Sequence, residues 1–348
     1  METTRDAGEG LERYLAECRA LVLDHLRSLV PRRGRAARLY ERMLDYPLRE
    51  AKALRPALCL ATCRALGGRV EQALPTAVAL ELYHNAFLIH DDVEDGSLLR
   101  RGRPTLHTLY GAPIAVNVGD AMLALSLQPL LDNVEHLGLG RALRILRVVS
   151  RMARESAEGQ AVELDWIRDG AWALEARDYR RLVYQKTCWY TFVAPMLCGA
   201  IAASADADPA RLWAIERFAI LVGVAFQIHD DVLNLDPRAA GYGKEPYGDL
   251  WEGKRTLIVL DALARSTPDE RVEARRVLAL PREKKAPEEV KFLVELIGRR
   301  DSVPRATAVA TRWASRAARS LGGLPWLRAS VHREVLLSLA RYVTERTR

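Results

Sequence analysis

PTAVALELYHNAFLIHDDVED, residues Pro75–Asp95, opens on a proline, stays apolar on nearly every side and ends in acid. Its spacing is that of a helix, with proline at a helix start. A helix that is apolar all round belongs inside a large core. The segment Leu212–Val232 reads the same way and also closes on acid. The run IHDDV occurs twice, at Ile89–Val93 and at Ile228–Val232. Two carboxylate pairs therefore stand at the ends of two buried helices.

The rest of the chain fits a helical frame. Ala, Leu, Arg and Glu dominate, runs of alternating β-branched residues are missing, and no Asn-Gly hairpin turn occurs. Pro31, Pro47, Pro104, Pro113, Pro209, Pro268, Pro287 and Pro304 punctuate segments of helical length. The expected fold is all-α, with ten or more helices in one domain over residues 1–348 and a disordered lead-in over residues 1–10. The five cysteines (Cys18, Cys59, Cys63, Cys188, Cys198) form no C-x-x-C pair, which points to free buried thiols in a reducing compartment. The polar N-terminus carries no secretion signal, and uninterrupted apolar runs fall short of the roughly 20 residues of a membrane span. A cytoplasmic protein without a membrane span is expected. The net charge of +7 is spread beside nearly as many acids, so it reads as solvated helix faces and not as a nucleic-acid surface.

On a helix Asp95 lies one turn beyond Asp91 and Asp92, so their carboxylates share a face; Asn234 holds the same spacing from Asp230 and Asp231. An exposed acidic helix end is the simpler reading of one such cluster. Two make it a poor one, because acid at a helix C-terminus opposes the macrodipole and crowded carboxylates raise one another's pKa. A bound cation resolves both costs. With oxygen ligands and no paired Cys or His at zinc spacing, the ion is Mg²⁺, which takes few carboxylates and completes its shell with water and phosphate. His90 and His229 point roughly 100° away from the neighbouring Asp and read as packing groups. Phosphate needs cations, and Arg100, Arg101, Lys186, Lys244, Lys254, Lys52 and Arg55 supply more charge than one diphosphate requires. The surplus implies a second anionic substrate.

From about Lys52 to the C-terminus the chain resembles the trans-isoprenyl diphosphate synthases, or polyprenyl synthetases. The resemblance rests on Asp91–Asp95 followed by Arg100-Arg101-Gly102-Arg103-Pro104, on Gln227–Asp236, and on Gly159-Gln160, Lys186-Thr187, Gly243-Lys244 and Gly248–Lys254. It implies an isoprenoid-synthase-type bundle around a central cavity, working as a homodimer. It implies Asp91, Asp92, Asp95, Asp230, Asp231 and Asn234 at three Mg²⁺ ions. Arg100, Lys186, Lys244 and Lys254 match cations for an allylic diphosphate, and Lys52, Arg55, His84 and Arg101 match the isopentenyl diphosphate pocket. Thr187 and Gln227 match polar groups that steady a carbocation. Four positions depart from the family pattern: Glu50-Ala51 for Gly-Gly, Glu163 for Asp, Asn234 for Asp, and His229 for Arg or Gln.

The implied reaction joins an allylic diphosphate to isopentenyl diphosphate by ionisation, condensation and elimination. A growing tail would descend beside the first Asp helix, about one isoprene unit per 5.4 Å turn. Ala86 is small, while Phe87 and Tyr83 are bulky at one and two turns below Asp91. Tyr83 is the expected floor and geranylgeranyl diphosphate (C20) the expected product, with C15 and C25 as alternatives. A class I terpene cyclase would share the acid motif but not the isopentenyl pocket. A non-catalytic partner subunit would be expected to lose one Asp cluster.

Overall fold

The computed structural model describes residues 2–31, 33–204, 208–236 and 246–345. Helices α1 (Glu2–Leu29), α2 (Ala37–Met43), α3 (Asp45–Leu48), α4 (Leu54–Ala65) and α5 (Val70–Glu94) precede a short hairpin, β1 (Leu99–Arg100) and β2 (Arg103–Pro104). Then come α6 (Leu106–Tyr110), α7 (Ala112–Leu137), α8 (Leu139–Arg168) and α9 (Ala176–Val183). A π-helix, Tyr184–Val193, runs on into α10 (Ala194–Ala203). The chain closes with α11 (Pro209–Asn234), α12 (Gly248–Trp251), α13 (Leu257–Arg265), α14 (Pro268–Ala279), α15 (Pro287–Arg299), α16 (Ser302–Gly322) and α17 (Val331–Glu345).

The opening stretch is helical and central, as its apolar periphery demands. Ala77, Val78, Ala79, Leu80, Leu82 and Ala86 of α5 are all at most 1% exposed, and α5 packs against α4, α7 and α10. Its start differs from the expectation. The helix begins at Val70, where Gln72 Oε1 accepts from the Arg69 amide at 2.7 Å, and Pro75 lies inside it. Helix α11 is the second pillar, held between α16 and the π-helix. One buried apolar cluster extends from Leu11 to Val343 and includes all five cysteines, each a free thiol.

Three particulars go beyond the sequence reading. The backbone from Glu2 onward belongs to α1, because Leu11, Leu15, Val22 and Leu26 bury one stripe of that helix and the polar lead-in continues it. A hairpin does exist, turning through Arg101 and Gly102 at φ of 53° and 71°. Both residues sit in the left-handed region that a two-residue hairpin loop requires, so a glycine follows an arginine that must tolerate it. Lastly, α7 and α11 are long and apolar enough to cross a membrane by length and composition, a test that a buried core helix also passes. Counting only uninterrupted runs overlooked them, since a few scattered charges interrupt each.

Candidate active site

The first acid pair splits in two directions. Asp92 is fully buried: the Tyr46 hydroxyl donates to Oδ2 at 2.6 Å and Arg100 Nε donates to Oδ1 at 3.0 Å. A second nitrogen of Arg100 pairs with the same carboxylate. Asp91 faces the other way, 3.5 Å from Arg100 and 3.4 Å from Lys186 Nζ. Asp95 caps α5 and receives Lys254 Nζ at 2.7 Å. Asp92, expected among the metal ligands, anchors the hairpin arginine and borders neither cavity of the site. Arg49 completes that anchor. Its buried guanidinium donates to the carbonyls of Arg100 (2.7 Å) and Pro104 (2.7 Å), which clamps the hairpin that presents Arg100 and Arg101.

The second pair is divided only in part, since Asp231 is buried and hydrogen-bonded like Asp92 yet borders the larger cavity together with Asp230. The Tyr179 hydroxyl donates to Asp231 Oδ2 at 2.6 Å, and Gln227 Nε2 donates to Oδ1 at 2.8 Å. Thr187 Oγ1 in turn donates to Gln227 Oε1 at 2.7 Å. Asn234 Oδ1 accepts the Asp249 amide at 3.0 Å, so it caps α12 and this oxygen is already engaged. Burial pushes the Asp231 carboxyl well above its usual range, helped by Asp249.

These groups converge. A narrow cleft of about 20 Å³, room for about one water, separates Asp91, Asp95 and Arg100 from Asn234, Asp249 and Lys254. Beneath it a cavity of about 520 Å³ is bordered by Asp91, Asp230 and Asp231, by Lys186, Lys254 and Arg100, and by Thr187 and Gln227. Lys186 arrives through the π-helix, a ladder often found at functional sites. Gly159 on α8 lets it come close, because a Cβ there would stand 2.7 Å from the Lys186 amide nitrogen. Burial opposes the Lys186 charge, but Glu163 at 2.5 Å and Asp91 more than offset it and raise its pKa.

A cationic corner borders the same cavity. Arg55 Nη1 lies 3.2 Å and Arg101 Nη2 3.5 Å from His84 Nε2. Burial and these two guanidinium groups hold the imidazole well below its ordinary pKa. A neutral His84 with Nε2 as acceptor must carry its proton on Nδ1, 2.5 Å from the Tyr190 hydroxyl. Lys52 does not border the cavity. Its ammonium bonds Tyr342 of α17, beyond a loop in which Ala53 takes a left-handed φ of 46°. Lys244 lies outside the described residues. Of the three residues expected to limit the tail, Phe87 borders the cavity; Tyr83 stands behind it in an edge contact at 5.7 Å, and Ala86 is buried.

Sequence reasoning missed several participants. Asp249 borders both cleft and cavity, yet it had been noted only within a longer motif. Glu252 holds Lys254 at 2.7 Å, and Arg282 reaches the cleft from a distant turn. Tyr46 and Tyr179 decide which Asp of each pair is buried and which is left half-buried. Only the second halves of the repeated acid pairs hinted at them, since a buried carboxylate needs a donor.

Whether these residues suit Mg²⁺ can be judged from the donors. Among the described residues no three His, Cys, Asp or Glu side chains close into a protein-only metal cage. Instead oxygen donors face one another with ammonium groups between them, which suits an ion whose shell is completed by phosphate and water. Asp95 reports the same demand for a cation. Burial, with Asp91 and Glu252 against Lys254, pushes its carboxyl up to about 7. Metal must displace that proton. Mg²⁺ affinity in the presence of diphosphate is expected to fall about tenfold per unit below about pH 7. Calorimetry in buffers of different ionisation enthalpy should show proton release near neutrality that vanishes well above it. A pH-independent affinity would contradict this.

The family model for polyprenyl synthetase matches residues 37–297. The chain is 30% identical over 260 residues to a geranylgeranyl diphosphate synthase of Sulfolobus acidocaldarius, covering 75% of this chain and 77% of that one. It is 32% identical over 302 residues to a geranylfarnesyl diphosphate synthase of Aeropyrum pernix, covering 85% and 91%. Among solved structures, a polyprenyl synthase from Caulobacter crescentus complexed with calcium and isoprenyl diphosphate matches 98% of each chain with a TM-score of 0.85 at 28% identity. With the helical frame and both acid-ended pillars meeting over one cavity, the match settles the lineage: the chain belongs to the polyprenyl synthetase family.

Proposed function

We propose that the protein is a short-chain trans-prenyltransferase that condenses an allylic diphosphate with isopentenyl diphosphate. The observation that carries this is the single cavity bordered both by Asp91 and Asp230 and by the Arg55–His84–Arg101 corner. One anion site bounded by acids calls for a metal, and the other, bounded by guanidinium groups, does not. A class I cyclase has no use for the second. Incubation with labelled isopentenyl diphosphate and C5, C10 or C15 allylic diphosphates should give labelled prenyl diphosphates. Release of a cyclic hydrocarbon with no incorporation of label would reject the proposal.

In this reading Asp91, Asp95 and Asp230, with Asp249 beside them, would hold the three Mg²⁺, which when bound would neutralise the diphosphate leaving group. Lys186, Lys254 and Arg100 add fixed positive charge where negative charge develops as the C–O bond breaks. The Thr187 hydroxyl, oriented by Gln227, offers its oxygen to the allylic cation. Arg55 and Arg101 fix the diphosphate of the nucleophilic substrate. His84 Nε2 is already occupied by both guanidinium groups, so the proton released at the end goes to the departing diphosphate. The apolar wall at Phe87 and Leu88 keeps water from the cation.

The same wall sets product length. Phe87 meets the Tyr190 ring at 5.5 Å and Tyr83 at 5.7 Å, so it is the first barrier and Tyr83 the second. C20 is the product length proposed for a tail that stops there, with C15 and C25 as the neighbouring lengths. Phe87→Ala is expected to lengthen the product by about one unit, one helical turn of space. Tyr83→Ala should act only on top of it. Mass spectrometry of the products checks this, and an unchanged series from Phe87→Ala would dismiss it.

A homodimer is part of the proposal. Helix α7 exposes Leu127, Leu131 and Val134, and α8 exposes Leu139, Leu143 and Leu146, each set on one helical face. A stripe of this size is normally covered. Light scattering should find a dimer that Leu127→Asp/Leu131→Asp converts to monomer; a monomeric wild type would refute it.

A further inference from the structure

The +7 charge is not spread evenly. Residues 302–333 contain six arginines (Arg305, Arg312, Arg316, Arg319, Arg328 and Arg333) and no acid. The fold lays part of this stretch, α16, against the first half of α11. Between them is a groove of about 360 Å³ bordered by Trp213, Arg217, Leu221, Arg316, Arg319 and Leu324. Trp213 is 61% exposed, which is unusual for so large an apolar ring. The Arg217 guanidinium lies 5.5 Å from its centroid, and Arg316 lies 5.2 Å from that of Trp313. Among the described residues none of Arg217, Arg316 and Arg319 forms an ion pair, whereas Arg276, Arg300 and Arg305 all do.

We infer that this α11–α16 groove docks the protein on an anionic phospholipid surface, with arginines on phosphate headgroups and Trp213 at the headgroup boundary. Each part of the groove matches that partner. Unpaired guanidinium groups bind phosphate oxygens bidentately. An exposed indole between apolar and charged groups is what a bilayer interface selects. Leu221 and Leu324 give the groove an apolar wall that a purely ionic partner would not use. A nucleic acid would call for several stacking rings along a basic track, and this groove offers one. The proposal is independent of the reaction at the acid clusters, whose Asp230 lies about 25 Å away along α11.

The test is co-sedimentation of the full chain with vesicles of phosphatidylcholine alone and of phosphatidylcholine with phosphatidylglycerol. Binding is expected only to the second, weakening as salt rises. At about fivefold per arginine near an anionic surface, Arg217→Gln/Arg316→Gln/Arg319→Gln should weaken binding about a hundredfold, with Trp213→Ala lowering it further. A charge-matched control, Arg13→Gln/Arg27→Gln/Arg38→Gln, removes exposed arginines of α1 and α2 and should keep most of the binding. Circular dichroism and turnover of soluble substrates should be unchanged in both triple variants. The inference is overturned by no vesicle binding, by equal losses in the two triple variants, or by full retention in the groove variant. Release from vesicles by inorganic phosphate at a concentration that leaves salt effects negligible would also overturn it, assigning the groove to a soluble anion.

Discussion

Asp91→Ala and Asp230→Ala should each lower kcat by about a thousandfold or more, which corresponds to about 4 kcal/mol of lost transition-state stabilisation. Neither should unfold the protein. Both residues border the cavity and are only partly buried, so no core contact is lost with either carboxylate. The neighbouring substitutions make the contrast. Asp92 and Asp231 are enclosed by Tyr46 with Arg100 and by Tyr179 with Gln227. Asp92→Asn should therefore lower stability more than it lowers Mg²⁺ affinity, while Asp91→Asn should do the reverse. Steady-state rates beside urea midpoints separate the two. Equal behaviour of Asp91 and Asp92 variants would mean that the division of the first pair is wrong.

Arg100→Met carries the second large effect, and it is double. Removing the guanidinium leaves Asp92 buried without a counter-charge, which costs about 3–5 kcal/mol. It also removes a cation that reaches Asp91 at 3.5 Å and borders the cavity, so turnover should drop with it. The combination Arg100→Met/Asp92→Asn distinguishes these contributions. Taking away the orphaned charge should restore most of the urea midpoint, because losing both partners of a buried pair is far milder than losing one. Activity should stay low. If the double variant recovered activity together with stability, Arg100 would serve the hairpin only and not the substrate.

Much of this was legible in the residues alone. An all-apolar helix ending in acid can hardly be placed anywhere but the core, and finding it twice brings two carboxylate pairs together before any coordinate is known. The cations after each pair follow from the charge that a diphosphate needs. What stayed hidden depends on contacts far apart in the chain. Asp91 and Asp92 are indistinguishable in sequence, and a tyrosine 46 residues upstream of Asp92 chooses between them. The hairpin escaped notice because Arg101 accepts a left-handed backbone that is usually left to Asn or Gly. Lys52 keeps its place in the motif while its ammonium turns to Tyr342, a partner 290 residues away. Asp249 had no evident role until Asn234 was seen capping the short helix that carries it. The arginine stretch on α16 was averaged away by acids elsewhere in the chain.

Calorimetric titration of inorganic diphosphate, with and without Mg²⁺, into the wild type, Asp91→Asn and Asp230→Asn tests most directly whether the two helix ends share one ligand. Binding should require Mg²⁺ in the wild type and should be lost in each single variant, because each supplies one side of the same grip. Diphosphate binding of wild-type strength in either variant would contradict it.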